Sequence, residues 1–129
     1  MVIHYWPYPL EAEDAPGSVH GFIDGLAKDE PVLFALVAQT LTTLGRDGND
    51  LDSILQSWSE RMKTKSCPLW ELRIPPKRTG GVVRLYFCFD PDNHGGIVIL
   101  DGEVKKNNNA KPQHEARAKS RCKVVRNGH

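Results

Sequence analysis

The 129-residue sequence lacks long hydrophobic runs: the longest unbroken apolar stretches, such as residues 97–100, are only a few residues long. A membrane-spanning helix needs about 20 apolar residues, so we expect no membrane span. The first residues also lack the basic region, apolar stretch and small-residue cleavage site of a secretory signal, which predicts a cytoplasmic protein. The length and an apolar content of 40% fit one globular domain over residues 1–129.

Cysteine is scarce, and the three cysteines, Cys67, Cys88 and Cys122, are far apart in the sequence. Their odd number and wide spacing favour neither a disulfide framework nor a zinc site. We therefore expect reduced thiols. Phosphate-binding glycine motifs of the GxxxxGK[ST] or GxGxxG type are also absent, and the glycine pairs at 80–81 and 95–96 are interpreted as turns. These patterns predict a protein without cofactor or metal.

The near-neutral total charge of +1 conceals a strong asymmetry. Residues 1–60 carry ten acids and two bases, whereas residues 61–129 carry fifteen bases and six acids, so the two parts have net charges of −8 and +9. Such a distribution indicates a polyanionic partner for the second part. The alternative is that the two parts neutralise each other across a folded interface.

The first part of the chain predicts a strand followed by helices. Residues 2–6 are β-branched and aromatic and end at a proline, which is typical of a short strand. Ser18 is a candidate N-cap for a helix through Leu26, and Asp29 for a second helix that ends at Gly45. Apolar residues also repeat helically in the next segment, which predicts a third helix over 51–63. The three apolar stripes are Val19, Phe22, Ile23 and Leu26; Leu33, Val37, Leu41 and Leu44; and Leu51, Ile54, Leu55, Trp58 and Met62.

The second part predicts three strands and a helix. Residues 69–74 alternate so that Trp70, Leu72 and Ile74 share one face and Glu71 and Arg73 the other. In the next strand Val83, Leu85, Phe87 and Phe89 share one face, and Arg84 and Tyr86 the other. The run at 97–101 is apolar on both faces, which is typical of a central strand. Pro112 opens a basic helix over about 113–125. The resulting fold class is α+β, with an N-terminal strand and a helical hairpin on one face of a mainly antiparallel sheet, a basic C-terminal helix, and an uncovered polar sheet face.

Cationic side chains are expected to surround that uncovered face if the hairpins pair in sequence order. The expected members are Arg73, Arg84, Lys105 and Lys106 from the strands, Lys77 and Arg78 from a turn, and Arg117, Lys119 and Arg121 from the helix. Guanidinium groups can bind two phosphate oxygens, and an ammonium acts as a point charge. Tyr86 could stack on an unpaired base. Taken singly, arginines and tyrosines on a solvated strand are ordinary, so only the combination indicates an RNA-binding and RNA-cleaving surface.

Among five histidines, His114 is the best candidate for acid–base chemistry because it lies at the start of the basic helix. The alternative is an exposed polar residue without a role. The other histidines are given none.

Several motifs in this order carry a family resemblance. They are the LWELR pentapeptide at 69–73, the VRLYF segment at 83–87, the IVIL run at 97–100 and the lysine pair at 105–106. Together they resemble the RelE/HigB superfamily of bacterial toxins, in particular its phage-derived HigB-like branch. Residues 18–45 also look like the helical hairpin of that branch, so the resemblance covers nearly the whole chain.

The resemblance implies a ribosome-dependent mRNA endonuclease of a type II toxin–antitoxin system. In this family the 2′-hydroxyl attacks the adjacent phosphate without a metal, and a neighbouring gene encodes an antitoxin, expected here to be of the helix-turn-helix type. Arg84 matches the arginine that contacts the scissile phosphate, and Arg73 the arginine of the preceding strand. Lys105 and Lys106 match the basic pair after the last strand, and His114 lies near the C-terminal position at which members of the family have a Tyr or His.

Two departures from the family pattern bear on mechanism. Leu69 and Glu71 stand where the best-known relatives have lysines, so Glu71 is the candidate replacement for the proton acceptor. Residues 50–66 are longer and more helical than the usual linker. The alternatives to a ribosome-dependent nuclease are a non-catalytic RNA- or ribosome-binding module with the same fold, and a domain whose basic part binds an acidic protein.

Overall fold

The computed structural model describes residues 2–8, 10, 15–46, 59–62, 69–74, 83–91, 96–105 and 112–127. In chain order the elements are β1 (Ile3–Tyr5), α1 (Val19–Asp29), α2 (Pro31–Arg46), β2 (Ser59–Met62), β3 (Leu69–Ile74), β4 (Val83–Phe89), β5 (Ile97–Val104) and α3 (Pro112–Asn127). None of these three helices is long and apolar enough to cross a membrane.

The five strands form one sheet in the order β1-β5-β4-β3-β2. β1 pairs with β5 in parallel, and the other three pairs are antiparallel. The α+β class with a mainly antiparallel sheet is therefore confirmed. β5 lies between β1 and β4, and residues 97–100 are fully buried, as expected for a strand that is apolar on both faces.

The helix predicted over 51–63 is wrong at its C-terminal end. Residues Ser59–Met62 form β2, which pairs antiparallel with β3 in the register Ser59↔Leu72 to Met62↔Leu69. Pairing with β3 satisfies main-chain hydrogen-bonding groups along that strand's edge, and such long-range pairing overrides local helical periodicity. Residues 51–58 lie outside the described residues.

Ser18 caps α1 as predicted, because its hydroxyl oxygen accepts a hydrogen bond from the Gly21 N–H at 3.0 Å. The predicted cap of α2 is displaced by one residue. Asp29 is the last residue of α1, and Glu30 links the helices: its N–H donates to the Leu26 carbonyl, and its carbonyl accepts from the Phe34 N–H. Pro31 then occupies the first turn of α2, where no N–H donor is needed.

The first face of the sheet carries the larger core. Helices α1 and α2 contribute four fully or nearly fully buried residues, and the strands β3, β4 and β5 contribute the remainder. The members are Val19, Leu26, Val37, Leu44, Leu72, Ile74, Val83, Leu85, Phe87, Ile97 and Ile99. The predicted face assignments of β3 and β4 are confirmed by this cluster. Gly102 allows the Phe22 side chain of α1 to pack directly on the backbone of β5, because a Cβ at position 102 would lie 2.5 Å from Cε2 of Phe22.

The second face of the sheet is covered, contrary to the prediction of an uncovered polar face. Helix α3 packs on it through Ala118, Cys122 and Val125, whose spacing of four and three residues forms an apolar stripe on an otherwise basic helix. The strand residues beneath this stripe are Leu69, Tyr86, Cys88, Val98 and Leu100. The basic composition of α3 concealed this stripe in the sequence.

The cysteines differ from the expectation of reduced thiols. Cys122 is disulfide-bonded, so that expectation is wrong at this position. Cys88 is a free, buried thiol, and burial raises its pKa to about 12. A thiol with so high a pKa is not a nucleophile near neutral pH. Cys67 lies outside the described residues.

Candidate functional site

A β-bulge places acidic residues on the second face of the sheet. Tyr86 pairs with Asp101 and Phe87 with Ile99, so Leu100 is an extra residue in β5. Leu100 packs under α3 and Asp101 contacts α3 side chains, whereas Gly102 faces α1. Two successive residues therefore share the second face, which reverses the alternation beyond this point. Without the bulge, Asp101 and Glu103 would lie in the larger core.

The strand register arranges polar residues of the second face in two rows across β3, β4 and β5. Arg73 pairs with Arg84, which pairs with Glu103; Glu71 pairs with Tyr86, which pairs with Asp101. Lys105 follows Glu103 by two residues. We call the five charged residues Glu71, Arg73, Arg84, Glu103 and Lys105 the charged cluster. Three of the predicted site residues are thus brought together.

An ion pair between Arg84 and Glu71 lies at the centre of the charged cluster. Nε of Arg84 is 2.7 Å from Oε1 of Glu71, and Nε of Arg73 is 3.5 Å from the same oxygen. The Arg84 and Glu71 side chains are 10% and 6% exposed, whereas the Arg73 side chain is 34% exposed. Arg73 is therefore the group of this trio that an anion in solution reaches most easily.

Lys105 is a buried ammonium among these charges. Burial is the main reason why its pKa is lowered, and the neighbouring Arg84 and Arg73 lower it further, while Glu71 and Glu103 oppose them. A lysine with a lowered pKa releases a proton more readily than an ordinary lysine. Lys105 is therefore a candidate proton donor as well as a positive charge.

His114 is held against Asp101 beside this cluster. Nδ1 of His114 is 3.1 Å from Oδ2 of Asp101. Arg117 donates to both oxygens of the same carboxylate, from Nε at 3.0 Å and from Nη2 at 2.9 Å. A carboxylate that fixes an imidazole in this way orients it for proton transfer. This role of Asp101 could not be predicted from the residues around it in the sequence.

Two predicted RNA-binding residues are buried. The Tyr86 side chain lies under α3 with 1% exposure, so its ring is not presented for stacking on a base. Burial, with Glu103 and Glu71 nearby, raises the pKa of its hydroxyl. Arg121 is also buried, because it donates to the Leu100 carbonyl at 2.8 Å and its guanidinium lies 5.1 Å from the Trp6 ring centre. Both residues hold α3 and the chain before α1 against the sheet.

Arg117 and Lys119 lie on either side of the buried Ala118 of α3, and Arg117 reaches Asp101. The side chains of Arg117 and Lys119 are 46% and 39% exposed, and Lys119 lies 3.8 Å from Glu115. Lys77, Arg78 and Lys106 lie outside the described residues. Among the residues that are described, no group of three or more His, Cys, Asp or Glu side chains could hold a metal ion.

Comparisons with known proteins do not assign the chain to a family. No family model, curated protein or solved structure matches this chain.

The sequence interpretation did not include Glu103, although the structure places it in the charged cluster. The available signal was the alternation of Asp101, Glu103 and Lys105 along the end of β5. Such alternation indicates one polar face, but only the bulge determines which face that is.

Proposed function

We propose that this protein is a ribosome-dependent mRNA endonuclease, the toxin of a type II toxin–antitoxin system, of the RelE/HigB type that its motifs resemble. The observation that carries the proposal is the convergence of Arg73, Arg84 and Lys105 around Glu71 on one sheet face. Cationic donors fixed before the reaction are the arrangement that stabilises charge developing on a phosphate.

The proposed reaction needs no metal. The ribose 2′-hydroxyl attacks the adjacent phosphorus as its proton passes to the Glu71 carboxylate, and the bond from phosphorus to the 5′-oxygen breaks. The leaving oxygen takes a proton from Lys105, so the products are a 2′,3′-cyclic phosphate and a 5′-hydroxyl. Arg73 and Arg84 stabilise the negative charge that develops on the phosphate between attack and departure. General acid–base groups of this kind typically contribute about 10²–10⁴ in rate.

Two partly exposed bases of α3 are the candidate RNA contacts outside the charged cluster. The exposed side chains of Arg117 and Lys119 lie on the helix that covers this sheet face. Contacts of such residues with RNA phosphates position a strand without reading its sequence. His114, whose Nδ1 lies 3.1 Å from Oδ2 of Asp101, is a second candidate for proton transfer.

The proposed substrate defines the partners and the compartment. The protein acts on mRNA bound to ribosomes, hence in the cytoplasm, and a helix-turn-helix antitoxin inhibits it. The Cys122 disulfide is unusual for that compartment, where thiols are kept reduced.

A second candidate is a non-catalytic RNA- or ribosome-binding module. The observation that favours it is the low exposure of the charged cluster: Glu71, Arg84 and Lys105 are 4%, 9% and 7% exposed. In that case the ion pairs only stabilise the sheet face, and the exposed bases of α3 bind RNA.

The two candidates are distinguished by mapping the 5′ ends of a defined mRNA after incubation with the purified protein, with and without programmed ribosomes. We expect cuts only with ribosomes, and a loss of about 10²–10³ in cutting rate for Arg73→Ala, because one preorganised donor is removed. Lys28→Ala removes an exposed base from α1 and is the control. Intact mRNA with folded wild-type protein that still binds ribosomes would overturn the nuclease in favour of the binding module.

A further inference from the structure

Glu103 is a buried carboxylate that accepts no hydrogen bond from the part of the chain that the structure describes. Its exposure is 3%, and neither Oε1 nor Oε2 accepts a hydrogen bond from the described residues. Burial of a charged group without hydrogen bonds is strongly unfavourable unless opposite charges compensate. The explanation for Glu103 must therefore lie in the charges around it.

The surrounding charges come from three neighbouring strands. β3 contributes Glu71 and Arg73, β4 contributes Arg84, which is the register partner of Glu103, and Lys105 follows directly after the end of β5. Tyr86 from β4 faces the same group, and α3 adds Glu115 and the His114 imidazole on this side of the sheet. The three cations and two carboxylates of the charged cluster leave a net charge of +1.

Of the two carboxylates, only Glu71 has a close cationic partner among the described residues. Arg84 lies 2.7 Å from Glu71 Oε1. Glu103 acts on its surroundings through its charge, since no hydrogen bond from the described residues fixes its oxygens. Lys105 follows Glu103 by two residues, directly after β5 ends at Val104, and the charge of Glu103 acts on it.

We propose that Glu103 is a positioning residue whose negative charge favours the protonated form of the buried Lys105, the form that donates a proton during RNA cleavage. Without Glu103 the charged cluster contains three cations and one carboxylate, so the repulsion from Arg73 and Arg84 on the Lys105 ammonium is less compensated. In the reaction, the proton leaves Lys105 Nζ as the bond between phosphorus and the 5′-oxygen breaks, and that oxygen becomes a hydroxyl. The role of Lys105 in the reaction rests on the proposed function, whereas the electrostatic coupling between Glu103 and Lys105 does not.

Glu103→Gln is a suitable probe because it removes the charge while keeping the shape, and no described hydrogen bond to the carboxylate is lost. The first measurement is the titration of Lys105 by NMR, with isotope-labelled lysine assigned through Lys105→Met. We expect the Lys105 midpoint in Glu103→Gln to lie about one pH unit below that of the wild type. Asp24→Asn, which removes an exposed carboxylate from α1, is the control and leaves the midpoint unchanged.

The second measurement is the pH dependence of single-turnover mRNA cleavage on ribosomes. A proton donor must be protonated, so activity falls as the pH rises through its pKa. In Glu103→Gln this fall occurs at lower pH, and the rate recovers towards that of the wild type on acidification. An RNA with sulfur in place of the 5′-oxygen at the cut site needs no proton donor, so wild type and variant cleave it at similar rates.

The outcomes separate the two proposals. An unchanged Lys105 midpoint in folded Glu103→Gln overturns the role of Glu103, whether or not the protein cleaves RNA. A lowered midpoint in a protein that never cleaves mRNA supports the coupling and overturns the proposed function. A variant that loses activity equally at every pH, and with the sulfur substrate, has a structural defect, which also overturns the role of Glu103 as positioning residue.

Discussion

Arg84→Met is expected to lower the free energy of unfolding by about 3–5 kcal/mol and the rate of mRNA cleavage by about 10²–10³. Arg84 and Glu71 are both buried and 2.7 Å apart, so the substitution leaves the Glu71 carboxylate without its closest cation. Arg73, at 3.5 Å and more exposed, is the remaining guanidinium close to it. The measurements are urea denaturation and single-turnover cleavage on ribosomes.

The double variant Glu71→Met, Arg84→Met separates stability from function. Replacement of both members of a buried ion pair by apolar residues of similar volume is often neutral or stabilising. We therefore expect the double variant to recover most of the stability that Arg84→Met loses, but none of the cleavage. Recovery of cleavage together with stability would show that Arg84 and Glu71 serve only the fold.

Phe87→Ala is expected to lower the free energy of unfolding by about 3–5 kcal/mol. Phe87 is completely buried in the larger core, with Trp70 stacked on it at 6.4 Å between ring centres and Phe89 edge-on at 6.3 Å. Truncation leaves a cavity at the contact of α1 and α2 with the sheet. Val32→Ala, at a position 74% exposed, is the control and should change stability by less than about 0.5 kcal/mol. Equal losses from the two substitutions, measured by urea denaturation, would contradict this description of the core.

Much of the first sheet face could be predicted from the sequence because local patterns determine it. The alternation in residues 69–74 and 83–89 assigns Leu72, Ile74, Leu85 and Phe87 to one face, and the structure buries all four together. Ser18 can be predicted as a cap because the contact is local: its hydroxyl lies three residues before the N–H that donates to it. Such features depend on neighbours a few residues away.

The covering of the second face could not be predicted in this way. Ala118, Cys122 and Val125 form a narrow stripe on a helix dominated by bases, and the partners of that stripe lie on distant strands. β2 likewise exists through its pairing with β3, while its own sequence has helical periodicity. The covering of the second face and the formation of β2 both depend on long-range packing, which cannot be predicted from a short segment of sequence.

The candidate site was predicted in part. Arg73, Arg84 and Lys105 lie together with Glu71 on one face as expected, but Glu103, which was not expected there, also lies among them, and the arginines are paired with Glu71. The bulge at Leu100 explains the difference, because it moves Asp101 and Glu103 to the second face. Neither residue could be assigned to a face from alternation alone.

The most direct test of the proposed function uses an mRNA with one deoxyribose at the mapped cut site, on programmed ribosomes. We expect cleavage of the all-ribose control, with a 2′,3′-cyclic phosphate on the upstream fragment, and no cut at the deoxyribose. Cleavage at the deoxyribose, or a 5′-phosphate on the downstream fragment, would contradict attack by the 2′-hydroxyl and with it the roles assigned to Glu71 and Lys105.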